Sequence, residues 1–167
     1  IFIKKKIDQK LKNDANEEKI KLIKKNINKK LKNDVNKGKL EIIERNKQVI
    51  LRFPERVTFQ SGSADLNENI KLVINRVRNI VKDSPELQKL VVTGHTDNVP
   101  IYNEFFSSNW ELSAARAVSV VHSLLATSQI DEKLVMAVGS ADTEPILPNT
   151  NSVNRAANRR VEIKLEF

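Results

Sequence analysis

LQKLVVTGHTDNVP, residues 87–100, begins as a short apolar run and ends as a polar loop. Leu87 to Thr93 read as a buried-type strand, because the run is short and rich in β-branched residues and Gly94 stops it. His95 and Asp97 then follow the carboxyl end of that strand, which is where open α/β sheets place their ligand loops. Working outward, helices flank the strand on both sides. From Asn67 onward, Ile70, Val73, Ile74, Val77, Ile80 and Val81 fall on one helical face. From about Ser108 a second helix begins, with Ser108 and Glu111 spaced as a capping box and a stripe of Ala114, Val118, Val121 and Leu125. LVMAVG, residues 134–139, is another strand, Ser152 to Ala157 a short helix, and VEIKLEF, residues 161–167, a last strand alternating apolar and charged residues. Nearer the start, Leu40 and Ile42, then Val49, Leu51 and Phe53, alternate around Arg45-Asn46-Lys47 as a hairpin that Pro54 closes. The order ββαβαβαβ predicts an α/β (α+β) two-layer sandwich with helices covering one face of the sheet.

The 167 residues suffice for one domain and an appendage. The net charge of +8 is unevenly spread: residues 1–48 hold 16 Lys and Arg against 7 Asp and Glu, and residues 49–167 hold 13 against 14. The basicity belongs to the appendage, so the domain lacks the basic stripe with stacking aromatics that a nucleic-acid interface needs. Without cysteine there is no disulfide, thiolate metal site or cysteine nucleophile. No run reaches the roughly 18–20 apolar residues of a membrane-spanning helix. The chain starts at Ile1 rather than methionine, as expected of a fragment.

The appendage repeats at an offset of 20 residues: KKKIDQKLKNDANEEKIKLI from Lys4 aligns with KKNINKKLKNDVNKGKLEII from Lys24. Ile3, Ile7 and Leu11, then Ile20, Ile23, Ile27, Leu31 and Val35, recur at helical steps. Such a stripe suits a solvated helix, or one that pairs with a copy of itself or with a partner. Gly38 ends the pattern, which divides the chain into a Lys/Asn-rich helical segment, residues 1–37, and a domain, residues 38–167.

For chemistry, His95 and His122 do not have the spacing of a metal site, and Ser107, Ser108 and Ser113 sit in no nucleophile elbow. Neither metal, cofactor nor catalysis is expected. His95 reads as a turn histidine bonded to nearby backbone, and Asp97 as an Asx-turn, a helix cap or a ligand group. Arg116 lies about 170–200° from the apolar stripe of its helix and is expected outside the core. If the loop after the strand folds toward this helix, Asp97 and Arg116 share a groove. A carboxylate facing a guanidinium suits a zwitterion, one accepting from an ammonium and the other clamping a carboxylate.

GHTD at 94–97, NWELSAARA at 109–117 and NRRVEI at 158–163 resemble the ordered signatures of the OmpA-like peptidoglycan-binding domain. GHTDNVP, SNWELS, FQSGSADL and ADTEPILPN further resemble the periplasmic domain of flagellar stator B subunits, over roughly residues 24–167. The resemblance implies a mixed sheet and a non-enzymatic anchor that grips peptidoglycan at the meso-diaminopimelate of its stem peptide. Asp97 and Arg116 would be the clamps, Thr96, Asn109 and Leu112 would shape the groove, and Arg160 would support or line it. It also implies a periplasmic homodimer, tied to a stator A subunit through a transmembrane helix upstream. The alternative with the same ligand is the wall anchor of a lipoprotein or outer-membrane protein. Pro100 stands where other branches carry glycine, implying a stiffer ligand loop.

Overall fold

The computed structural model describes residues 2–167. Helix α1 (Phe2–Asn36) leads into the hairpin β1 (Glu41–Arg45) and β2 (Gln48–Pro54), then the one-turn helix α2 (Glu55–Thr58) and α3 (Glu68–Lys82). Strand β3 (Lys89–His95), α4 (Asn109–Leu125), β4 (Val135–Gly139), α5 (Ser152–Asn158) and β5 (Arg160–Glu166) complete the chain. The predicted order holds, with α2 added. The five strands form one mixed sheet ordered β1-β2-β5-β3-β4, in which only β3 and β4 are parallel.

The last strand to form in sequence is central in space. In the β2–β5 ladder Leu51 opposes Ile163 and Phe53 opposes Val161; in β5–β3, Val92 opposes Ile163 and Gly94 opposes Val161. These residues share the helix-covered face, and Leu51, Val92, Val161 and Ile163 are fully buried. The opposite parity, Arg52, Glu162, Lys164 and Thr93, forms the other face. The predicted stripe of α3 is buried at all six positions.

Two local expectations fail. The buried face of α4 is Leu112, Ser113, Arg116, Ala117, Val120 and Leu124; Ala114 and Val118 are exposed and Val121 and Leu125 half-buried. The cause is close packing on β3 and β4. A Cβ on Gly94 would lie 2.1 Å from the Ser113 carbonyl oxygen, and one on Gly139 would lie 2.6 Å from the Ala114 nitrogen. Small residues therefore serve the seam, and the apolar stripe misleads by one position. Arg116, expected outside the core, is 2% exposed.

Helix α1 runs through the first repeat copy and on to Asn36 in the second, whose remaining residues form the turn at Gly38 and enter β1, and its two halves differ in surroundings. Residues 2–19 are exposed along their length, including Ile3, Ile7 and Leu11. In the second copy Ile27 and Leu31 are fully buried among the residues of the core, and Asp34 receives two hydrogen bonds from Arg76 at 2.8 and 2.7 Å. Lys24 donates to the carbonyls of Arg45 and Asn46 in the hairpin turn.

Candidate functional site

A cavity of about 570 Å³ opens beyond the carboxyl end of β3, lined by the β3–α4 loop, the start of α4, α2 and the α5–β5 junction. The structure brings Thr96, Asp97, Asn109, Leu112 and Arg116 together on its walls. Arg160 is not among them. Its neighbour Arg159 is, with Glu55, Arg56 and Phe59, none of which the sequence reading singled out.

The loop is fixed from several directions. Thr96 N–H donates to the Ala141 carbonyl at 2.8 Å, and its hydroxyl donates to the Asp97 carbonyl at 2.8 Å. Asn109 Nδ2 donates to the Val99 carbonyl at 3.0 Å, tying the loop to the first residue of α4. Ser108 caps that helix by accepting from Trp110 N–H at 3.2 Å, while its hydroxyl donates to Glu111. This bond holds the Glu111 carboxyl below its ordinary pKa. Asp97 makes the expected Asx-turn, accepting from Val99 N–H at 2.9 Å through Oδ1. Its other oxygen meets Arg159 Nη1 at 2.7 Å, so the turn and an ion pair coexist.

Asp97 and Arg116 do not pair directly. Between them runs a chain of alternating charge: Arg116 Nη2 to Glu55 Oε1 at 2.7 Å, Glu55 Oε2 to Arg159 Nε at 2.5 Å, and Arg159 to Asp97. Burying a guanidinium as deeply as Arg116 costs several kcal/mol unless it is neutralised and bonded. Glu55 supplies the charge, the Ser63 carbonyl accepts from Nε at 2.9 Å, and the Phe59 ring lies 4.9 Å from the guanidinium carbon. Nη1 has no partner among the described residues. Burial alone would lower the Arg159 pKa; its bonds to Asp97 and Glu55 outweigh that and raise it.

Glu55 and Arg159 lie together because α2 follows β2 directly and Glu55 N–H donates to the Arg159 carbonyl at 3.0 Å, extending the β2–β5 pairing by one bond. Arg159 was legible in VEIKLEF. Arg160 shares parity with Glu162 and Lys164 and so points away from the helices, whereas Arg159 is in phase with Val161. Arg160 instead donates to Glu162 Oε1 at 3.0 Å and to the carbonyls of Asn158 and Glu144 on the far face, and burial pulls its pKa below the ordinary value. Glu55 carries no sequence signal beyond following Pro54.

His95 is also on the far face, opposite Arg160. It is not a backbone-bonded turn histidine: it ends β3, is 4% exposed, has Nε2 3.4 Å from Glu162 and leaves Nδ1 without a partner. Burial first, and then the Arg160 charge, lower its pKa to about 4, which keeps the ring neutral near pH 7. Among the described residues no group of three or more His, Cys, Asp or Glu could hold a metal ion, and no helix is long and apolar enough to cross a membrane.

The fold and the cavity together define a class of domain: a five-stranded α+β sandwich with a charged hollow at the carboxyl end of β3. Within that class the chain belongs to the OmpA family, whose model matches residues 58–159. It is 31% identical to motility protein B of Bacillus subtilis over 69% of this chain and 44% of that protein, so it spans less than half of that relative's length. The cell wall anchor of the T6SS from Pseudomonas aeruginosa superposes with a TM-score of 0.76 at 31% identity, covering 83% of this chain and 95% of that one. A putative MotB-like protein from Desulfovibrio vulgaris superposes with a TM-score of 0.80 at 28% identity, covering 91% and 95%.

Proposed function

We propose that the domain is a non-catalytic anchor that binds peptidoglycan by gripping the zwitterionic end of meso-diaminopimelate. The observation that carries this reading is the Arg116–Glu55–Arg159–Asp97 chain in one open cavity. Both ends are prepared for a ligand. Asp97 keeps lone pairs for an ammonium, since each carboxylate oxygen can accept twice. Arg116 keeps Nη1 for a carboxylate, with the guanidinium plane set by Glu55 and Ser63 so that little ordering entropy remains to be lost. Thr96, Asn109 and Leu112 hold or line the groove between the clamps. Arg160 has no part in it and serves the far face.

Ser113, Ser108 and His95 are otherwise engaged, which favours holding over turnover. The buried Ser113 hydroxyl accepts from Ala141 N–H and donates to the Trp110 carbonyl, Ser108 donates to Glu111, and His95 faces away. The likeness to motility protein B and to the T6SS cell wall anchor supports a periplasmic anchor for a membrane-embedded machine. In this reading the domain serves as the wall anchor of a flagellar stator, as a dimer joined upstream to its ion channel.

The test is co-sedimentation with purified sacculi. Asp97→Asn and Arg116→Ala each leave one ligand charge unpaired and are expected to weaken retention by about 2 kcal/mol or more. Arg160→Gln is expected to leave retention unchanged if the protein stays folded. Unchanged retention in both clamp variants contradicts the assignment.

A further inference from the structure

The charge balance of the cavity extends the ligand beyond one zwitterion. Its charged lining is three arginines, Arg56, Arg116 and Arg159, against two carboxylates, Glu55 and Asp97, a net of +1. Arg116 and Arg159 are paired within the wall. Arg56, exposed on the outer side of α2, makes no ion pair among the described residues. A ligand with one ammonium and one carboxylate would leave this charge unanswered.

Arg56 also borders a second hollow of about 500 Å³ on the far side of Arg159, between Pro54 and α5. The two hollows share Glu55, Arg56 and Arg159. The wall that α5 adds is Ser152, Val153, Ala156 and Ala157, three of them small apolar side chains, with Val153 75% exposed. Small apolar side chains flanked by an unpaired guanidinium suit a residue with a methyl-sized side chain and a free carboxylate.

We infer that Arg56 and the α5 wall form a second subsite, which takes the small residue following the diaminopimelate in the stem peptide and holds that residue's terminal carboxylate on Arg56. The subsite rests on the zwitterion reading for its neighbour, and it makes the preferred ligand a net monoanion, with two carboxylates and one ammonium. Its consequence is selectivity for stems with a free end. Peptides whose terminal carboxylate is amidated or consumed in a cross-link lose the Arg56 contact.

The experiment is calorimetric titration of the full chain with a synthetic stem tetrapeptide ending in alanine, as the free acid, as the carboxamide, and as the acid with its side-chain ammonium acetylated. The wild type is expected to bind the carboxamide at least tenfold more weakly than the acid. Arg56→Gln is expected to bind the two alike, and Val153→Glu to weaken the acid selectively; both positions are exposed, and circular dichroism checks the fold. Equal binding of acid and carboxamide by the wild type, or a tenfold difference that survives Arg56→Gln, overturns the subsite. If acetylation has no effect while the acid–carboxamide difference persists, the zwitterion reading falls and the Arg56 subsite stands.

Discussion

At the scale of single residues, the side one position away often decides what a charge does. Arg159 and Arg160 are consecutive, yet one completes the cavity wall and the other a buried network behind the sheet. The period-two pattern of VEIKLEF already separates them, because Val161 and Arg159 share a face. Arg116 was harder to place: a guanidinium near the core is legible only if its partners are known, and Glu55 stands 61 residues earlier. His95 yields a test of the far face. Its folded pKa of about 4 lies below the ordinary value of 6.5, so its neutral form stabilises the fold fully above about pH 6.5 and that contribution is lost as pH falls toward 4. Converted at about 1.4 kcal/mol per pKa unit, the loss is roughly 3 kcal/mol. Denaturant unfolding of wild type and His95→Gln is therefore expected to show wild type losing about that much more stability between pH 7 and pH 4. Parallel curves for the two proteins would refute the buried neutral histidine.

At the scale of elements, periodicity is reliable where apolar bulk faces the core and unreliable where backbones touch. In α3 the helix is held by large side chains, so the stripe from Ile70 to Val81 is the buried face. In α4 the contact runs through Gly94 against Ser113 and Gly139 against Ala114, and hydrophobicity alone points one residue off. The two repeat copies of α1 make the complementary case. Ile7 and Ile27 occupy equivalent places in two copies identical at 11 of 20 positions, but Ile7 is 53% exposed and Ile27 fully buried, because α1 buries residues against the domain only from Ile20 onward. Ile27→Ala is expected to cost about 3 kcal/mol in denaturant unfolding, as large-to-small core changes do, and Ile7→Ala less than about 0.5 kcal/mol. Equal effects would mean that the first copy packs on something in solution.

At the scale of the whole molecule, the sandwich and its ligand edge follow from the order of patterned segments. The site does not follow from them, because its parts come from α2, the β3–α4 loop, α4 and the α5–β5 junction. Asp97, Asn109 and Arg116 were legible because they cluster within two adjacent motifs. Arg159 has its face from the period of the last strand, but Glu55 and Arg56 join it only because β2 and β5 pair in space from opposite ends of the domain. The outcome is a cavity whose charged side chains are positioned by one another, and under the proposed function these are the clamps. The most direct test is the affinity of the full chain for a diaminopimelate stem peptide against the same peptide carrying lysine, which keeps the ammonium and lacks only the side-chain carboxylate. If Arg116 clamps that carboxylate, the lysine peptide binds at least about tenfold more weakly, equivalent to about 1.4 kcal/mol, and Arg116→Ala abolishes the difference. Equal affinity of the wild type for both peptides would contradict the zwitterion clamp.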